Sequence, residues 1–424
     1  MKNLATKIPE EPDCERLSAL YTVPFSIFPV QSGGALRSYY LLRELCRAFR
    51  VTAFVPSEAS SVRQAILSEV PAASDLQVFE IPPYRKPQNL LTRLRDRWRT
   101  LQLTGDWQVS TNGVQYSLAQ AVRIWLRQNS PGLVIHTNLD SLYLLRRCRQ
   151  WSGNALQVLD LQNIESQLYV RRAGLAADRQ VCERLLQQER MLTSVADLVQ
   201  VCSDDDGAVL QGISGAGLKT CTVPNGVATE LTPFDANSAK PASRKILFCG
   251  TLSYAPNVEG LNWFARQVWP LIRCGVPETE LLVVGRGYDA QKFPGLEQTT
   301  GVRVIGAVES VLPYYRQCGV SVCPLLSGSG TRLKILEAIS AGNPVVSTTV
   351  GCEGLQLQDG REILIRDEPR QFAAAVVELM SRADQFEAIR TAARIRAEAS
   401  YDWRVIGAAM VGNLLARISR EGLC

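Results

Sequence analysis

The chain has 424 residues, 46% of them hydrophobic, and a formal net charge of +5. That length and apolar content support two domains with sizeable cores and exclude an intrinsically disordered chain. A charge so near balance gives no ground for a nucleic-acid partner, and no apolar run is long enough to span a bilayer.

The twelve cysteines show neither CxxC pairing nor regular spacing, and there is a single histidine. A zinc module and a disulfide framework are therefore unsupported, no metal or cofactor is expected, and a reducing, cytoplasmic compartment fits best. Residues 1–16, MKNLATKIPEEPDCER, lack the apolar stretch of a secretory signal and read as a disordered lead-in.

Residues 17–228 alternate short apolar strands with helical patterns: RLSALYTV, RVTAFVP, LQVFEIP, GLVIHTN, ALQVLDL, DLVQVCS and KTCTVPN. This is the pattern of a doubly wound α/β domain. Its first strand runs into FPVQSGGALRSYYLLRELCRAF, where Gly33 and Gly34 precede a helix expected to begin near Leu36, with Arg37 at the junction. Two glycines there let backbone approach a charged or sugar group, or simply make a tight turn. Further on, residues 85–103 set Arg85, Lys86, Arg93, Arg95, Arg97 and Arg99 against Asp96 alone, with Leu90, Leu91, Leu94, Trp98 and Leu101 at helical spacing. Such a basic amphipathic helix either packs its leucines on the protein's own core or meets an anionic surface, a membrane included. His136 closes the strand GLVIHTN on the edge where ligands of such sheets gather, which makes it a candidate cleft contact.

Residues 229–244 include TPFDANSAKPAS, a small-residue, proline-bearing linker and the natural place for a hinge. From 245 to 400 the alternation is cleaner, with KILFCGTL, ELLVVGRG, VRVIGAV, VSVCPLL, PVVSTTVG and EILIRD each entering a loop of small or polar residues. In a parallel sheet those loops converge, so Gly250 with Thr251, Gly285 with Arg286, Gly306 to Val308, and Gly328 to Thr331 are expected around one crevice. Residues 401–424 read as a closing helix.

The most informative stretch is 324–355, PLLSGSGTRLKILEAISAGNPVVSTTVGCEGL. Gly328, Ser329 and Gly330 can close backbone N–H groups on phosphate oxygens, and Thr331 is a good N-cap for a helix with Leu333, Ile335, Leu336 and Ile339 as its apolar stripe. Arg332 and Lys334 fall in its first turn, where the helix dipole disfavours cations unless an anion is bound. Glu337 lies about 7–8 Å along the axis from Arg332, a suitable offset between a diphosphate and a ribose. The plain alternative is a solvated face on which Lys334 and Glu337 merely pair at i, i+3.

Two α/β domains and the block GSGTRLKILEAISAGNPVVST resemble the retaining glycosyltransferases of family 4, which have the twin-Rossmann GT-B fold. The resemblance extends to FPVQSGGALRSYYLLREL, DLQNIESQLYVRRA, VPNGV, GTLSYAPNVEGLNWF, LLVVGRG, VRVIGAV and the closing YDW. It implies transfer of a sugar from a nucleotide-diphosphate donor, held by the second domain, to a hydroxyl acceptor on the first. A lipid-linked or growing polysaccharide acceptor, and work at the inner face of the membrane, go with it. By the same resemblance Glu337 matches the ribose-binding glutamate, Gly330 to Arg332 the diphosphate contacts, the backbone near Val308 the base site, and Gly33 and Gly34 the glycine loop facing the reacting sugar. The final helix is expected to cross back to the first domain.

Three departures from the family's pattern involve four positions. Ser329 stands where the first of two paired glutamates is expected, Thr251 and Asn257 replace an arginine and a lysine, and Gln162 replaces a histidine. Arg332, Lys334 and Arg286 are the cations left to meet leaving-group charge. Two rival readings remain: a non-catalytic nucleotide-sugar-binding protein, and a nucleotide-sugar 2-epimerase, which the scarcity of histidine disfavours.

Overall fold

The computed structural model describes residues 16–30, 32–81, 89–104, 113–234, 243–328, 330–420 and 422. Most of the expected lead-in, the linker segment 235–242, Arg85, Lys86 and Ser329 lie outside these residues.

Two parallel sheets organise the chain. The first has seven strands in the order β3-β2-β1-β4-β5-β6-β7, from β1 (Ser18–Thr22), β2 (Arg50–Val55), β3 (Gln77–Glu80), β4 (Leu133–Thr137), β5 (Leu156–Asp160), β6 (Leu198–Val201) and β7 (Thr220–Thr222). The second has six in the order β10-β9-β8-β11-β12-β13, from β8 (Lys245–Cys249), β9 (Glu280–Val284), β10 (Val302–Gly306), β11 (Val320–Cys323), β12 (Val345–Ser347) and β13 (Leu364–Ile365). Central strands such as LVIHT and LQVLD are buried on both faces, which is why their sequences run apolar instead of alternating. In each sheet the order reverses beside the first strand, β1 or β8, so the crevice for a ligand opens at its carboxyl end.

Two helix starts differ from expectation. The first helix spans Gly33–Leu45 and begins before Leu36, because Ser32 Oγ accepts from the Ala35 N–H (3.2 Å) and caps it. In the second domain the helix is Leu333–Ser340, with Arg332, not Thr331, at the N-cap. Gly330, at φ 79°, turns the chain just before it.

The last helix, Trp403–Arg420, packs on helix Gly33–Leu45. Trp403 stacks on Tyr40 (centroids 5.3 Å apart, planes at 7°), and Ile406, Met410, Leu414 and Ile418 enter the same core as β1 and β2. Each such buried side chain contributes about 1.5–3 kcal/mol. Where the chain crosses between the sheets, Val227 N–H donates to Tyr401 O (2.8 Å) and Trp403 N–H to Val227 O (3.2 Å). Among the described residues no helix is long and apolar enough to cross a membrane.

Candidate active site

The floor of the crevice is made by the loops leaving β8, β9 and β10. Gly250 N–H donates to Val284 O (3.0 Å), Leu252 N–H to Arg286 O (2.7 Å) and Gly285 N–H to Gly306 O (2.8 Å), so these loops lie against one another. Gly285 has to be glycine: its φ is 155°, and a Cβ there would stand 1.7 Å from Gly250 O. Thr251 and Val308 are half-buried along this floor, and the Arg286 side chain is exposed.

Helix Leu333–Ser340 brings its two chemical groups to the same place. Lys334 Nζ donates to Asn257 Oδ1 (2.6 Å), lies 4.9 Å from the centroid of the Phe248 ring, and is so close to Gly250 that an added Cβ would stand 2.9 Å away. Asn257 is held in turn by its Nδ2–H, which donates to Thr251 O (2.8 Å). Burial pushes the Lys334 ammonium below the usual lysine range, against the nearby Cys323, Cys249 and Glu337, which favour its charge. Three residues on, the Glu337 carboxylate accepts from Tyr315 OH (3.3 Å). Burial raises its pKa, with the Tyr315 hydrogen bond and Lys334 pulling the other way. The site thus holds a cation and an anion, both incompletely solvated, on one face of one helix.

Arg332 is placed differently from Lys334. Its guanidinium donates to Gly330 O (2.5 Å) and Val350 O (3.3 Å) and lies 3.8 Å from Glu353, so it braces the glycine turn. Gly328, at φ 118°, sits against Arg332 and Pro256.

The first domain supplies the opposite wall. A Cβ on Gly33 would stand 3.1 Å from Leu333 Cδ1, which shows how closely this glycine approaches the second domain. Gln162 Nε2 donates to Gly34 O (3.3 Å), covering the second glycine. Next to Gln162, Asn163 faces Gly330, and Arg171 Nη1 donates to Gly328 O (3.3 Å) and lies 3.5 Å from Glu353. Gln162, Asn163 and Arg171 on one side and Gly330, Thr331 and Glu353 on the other line a cavity of about 80 Å³.

Two candidate residues are not on this surface. His136 is fully buried, its Nδ1 2.5 Å from Thr22 Oγ1, and burial drives its pKa down to about 3. It is a neutral core residue rather than a cleft contact, because its side chain turns into the packed layers beside the sheet. Arg37 is also buried, and its guanidinium is spent on Asp160 (Nη2 to Oδ1 2.6 Å) and Val223 O (2.7 Å). It ties helix Gly33–Leu45 to the end of β5 and does not extend the glycine loop.

Asn163, Arg171, Tyr315 and Phe248 were not singled out by sequence. Asn163 had a signal, lying beside Gln162 in the loop after β5, whereas the others reach the site only through tertiary packing.

Comparison with known proteins identifies the architecture. Residues 243–382 match the family model described as glycosyl transferases group 1. The structure of sucrose-phosphate synthase from Thermosynechococcus elongatus superposes with a TM-score of 0.67 at 20% identity, covering 95% of this chain and 99% of the other. The chain has the GT-B fold, and its second domain is similar to the glycosyl transferases group 1 model. HepE of Anabaena in complex with UDP-glucose superposes on the GT-B chain with a TM-score of 0.62 at 14% identity, covering 94% of it and 100% of that structure. By sequence, the phosphatidyl-myo-inositol mannosyltransferase of Mycobacterium leprae is 27% identical over 199 residues, 45% of this chain and 52% of that protein. The chain's matches span between 39% and 52% of the length of the curated relatives.

Proposed function

We propose that this protein is a family 4 glycosyltransferase that moves a sugar, with retention, from a nucleotide-diphosphate sugar to a hydroxyl of a lipid-linked or growing polysaccharide acceptor. The observation that carries the reading is that one helix sets Lys334 against Asn257 and Glu337 against Tyr315, while its first residue, Leu333, lies against Gly33 of the first domain. In this reading the diphosphate lies over the Gly328–Thr331 turn and Lys334, and Glu337 accepts from the ribose hydroxyls. The donor complex of the similar HepE structure supports a nucleotide-sugar ligand, and the similarity to the group 1 model supports transfer over simple binding.

The chemical problem is charge accumulating on the departing diphosphate, and preorganised donors aimed at it lower the barrier most. Lys334 is preorganised: Asn257 and the Phe248 ring fix its ammonium before any ligand arrives. An anion bound beside the ammonium offsets the burial that lowers its pKa. Because a retained face must both release the leaving group and admit the acceptor, the leaving phosphate oxygen takes the acceptor proton in this scheme, and no side-chain base is required. Closure about the crossing near Val227 and Tyr401 excludes water that would hydrolyse the donor. The same reading places the protein in the cytoplasm, working against the inner face of the membrane.

The test begins with a thermal-shift panel of nucleotide sugars. A true donor at 100 times its Kd stabilises the fold by about 2.7 kcal/mol. Release of free nucleotide only when acceptor is present, with the anomeric configuration kept in the product, supports the proposal. Tight donor binding without turnover under any acceptor overturns it in favour of a binding protein.

A further inference from the structure

The helix Leu90–Thr104 is amphipathic, yet its apolar stripe does not pack on the protein's own core. Leu90 is 70% exposed, Leu91 77%, Leu94 48% and Trp98 54%. The helix is held to the protein near its C-terminal end: Arg99 lies over the Tyr116 ring, 5.0 Å from its centroid, Leu101, the last residue of the stripe, is half-buried, and Gln102 O accepts from Arg147. Four large apolar side chains left in water on one face of a helix are costly unless something covers them.

The charge around them says what that is. The segment 85–103 carries six cations against Asp96. Beside the C-terminal end of the helix, a cavity of about 440 Å³ is lined by Gln102, Tyr116, Gln120, Arg123, Arg147 and Trp151, with no carboxylate among its described lining residues. Arg123 rests over the Trp151 ring, 5.6 Å from its centroid, as Arg99 does over Tyr116. Arginines beside aromatic faces, next to an outward apolar stripe, suit the boundary between lipid headgroups and acyl chains. A second copy of this face would bring like charges together, so a self-interface is disfavoured.

We propose that helix Leu90–Thr104 and the arginine-lined cavity beside it dock the protein on an anionic phospholipid bilayer, Leu90, Leu91, Leu94 and Trp98 entering the interface and arginines such as Arg95 and Arg123 meeting lipid phosphates. The surface stands whether or not the crevice transfers sugar, because it shares no residue with that site.

The experiment is flotation of the full chain with vesicles of phosphatidylcholine alone or mixed with phosphatidylglycerol. The wild type is expected to float with the mixed vesicles only. It should detach when salt rises from about 0.1 M to about 1 M, which shortens the screening length from about 10 Å to about 3 Å. Leu91→Glu combined with Trp98→Glu is expected to lower partitioning at least about tenfold. Arg95→Glu changes two charge units and should cost about 25-fold, and Arg123→Ala about fivefold. These side chains are exposed, so melting temperatures should match the wild type. Equal binding to neutral vesicles, binding to neither, or undiminished flotation of the Arg95→Glu protein would each overturn the proposal. So would a solution dimer that the double variant dissolves, since the stripe would then be covered by a second copy.

Discussion

The sharpest expectation concerns Lys334. Its ammonium sits 2.6 Å from Asn257 Oδ1 and is fixed in place, so truncation to alanine removes a positioned charge without removing the helix that bears it. Losing one preorganised donor to a developing oxyanion lowers kcat by about 10²–10³, or roughly 2.7–4 kcal/mol. A Coulomb figure agrees at the upper end: a unit charge about 4 Å from the leaving oxygen, at an effective dielectric of about 20, contributes about 4 kcal/mol. Asn257→Ala keeps the ammonium but frees it to wander. The hydrogen bond of a charged group is worth about 1.5–3 kcal/mol, so the loss has a ceiling of about 10- to 150-fold. The assay is single-turnover sugar transfer at saturating donor, with KM measured separately. A Lys334→Ala enzyme within about threefold of wild-type kcat, changed only in KM, would refute the assignment of this lysine to the leaving group.

Three further outcomes are expected. Glu337→Gln should weaken donor binding yet stabilise the ligand-free protein at neutral pH: burial raises the folded-state pKa, so the wild type gains stability as pH falls through that value, and the variant's advantage should disappear near the ordinary carboxylate range. Melting curves of both proteins across pH decide it. His136, the single histidine, has a folded pKa of about 3 and stays neutral, so stability should decline as pH drops below about 6.5, where the unfolded chain takes up a proton. An imidazole resonance titrating near 6.5 in the folded protein would contradict this. Asp160→Asn leaves the Arg37 guanidinium buried without its counter-charge and should cost about 3–5 kcal/mol in denaturant unfolding of the first domain. Replacing both partners by apolar residues should recover most of that loss.

The strands of both sheets were legible because a buried parallel strand must be apolar throughout and must end in a loop of small or polar residues. The glycine turn and the helix carrying Lys334 and Glu337 were legible for a related reason, since their chemistry is local in sequence. What pattern could not supply was the direction of side chains whose partners are distant. Arg37 follows Gly34 closely, but its partner Asp160 lies 123 residues on, and that buried carboxylate decides where the guanidinium goes. His136 sits in register with Thr22, and the layers beside the sheet, invisible to a strand pattern, take its ring. The Asn257–Lys334 contact spans 77 residues. Asn257, where the resemblance leads one to expect a lysine, is thus the residue holding a lysine from elsewhere. Leu90 to Leu101 was ambiguous for the same reason: periodicity reveals a stripe and not what lies against it.

The return of the final helix to the first sheet has a consequence during synthesis. Trp403, Ile406, Met410, Leu414 and Ile418 belong to the core that β1 and β2 begin. A ribosome therefore extrudes every residue of the second domain before the first can finish condensing. The half of the molecule made earliest is completed last, and a nascent chain stalled anywhere before residue 403 would offer chaperones an open apolar groove along Tyr40.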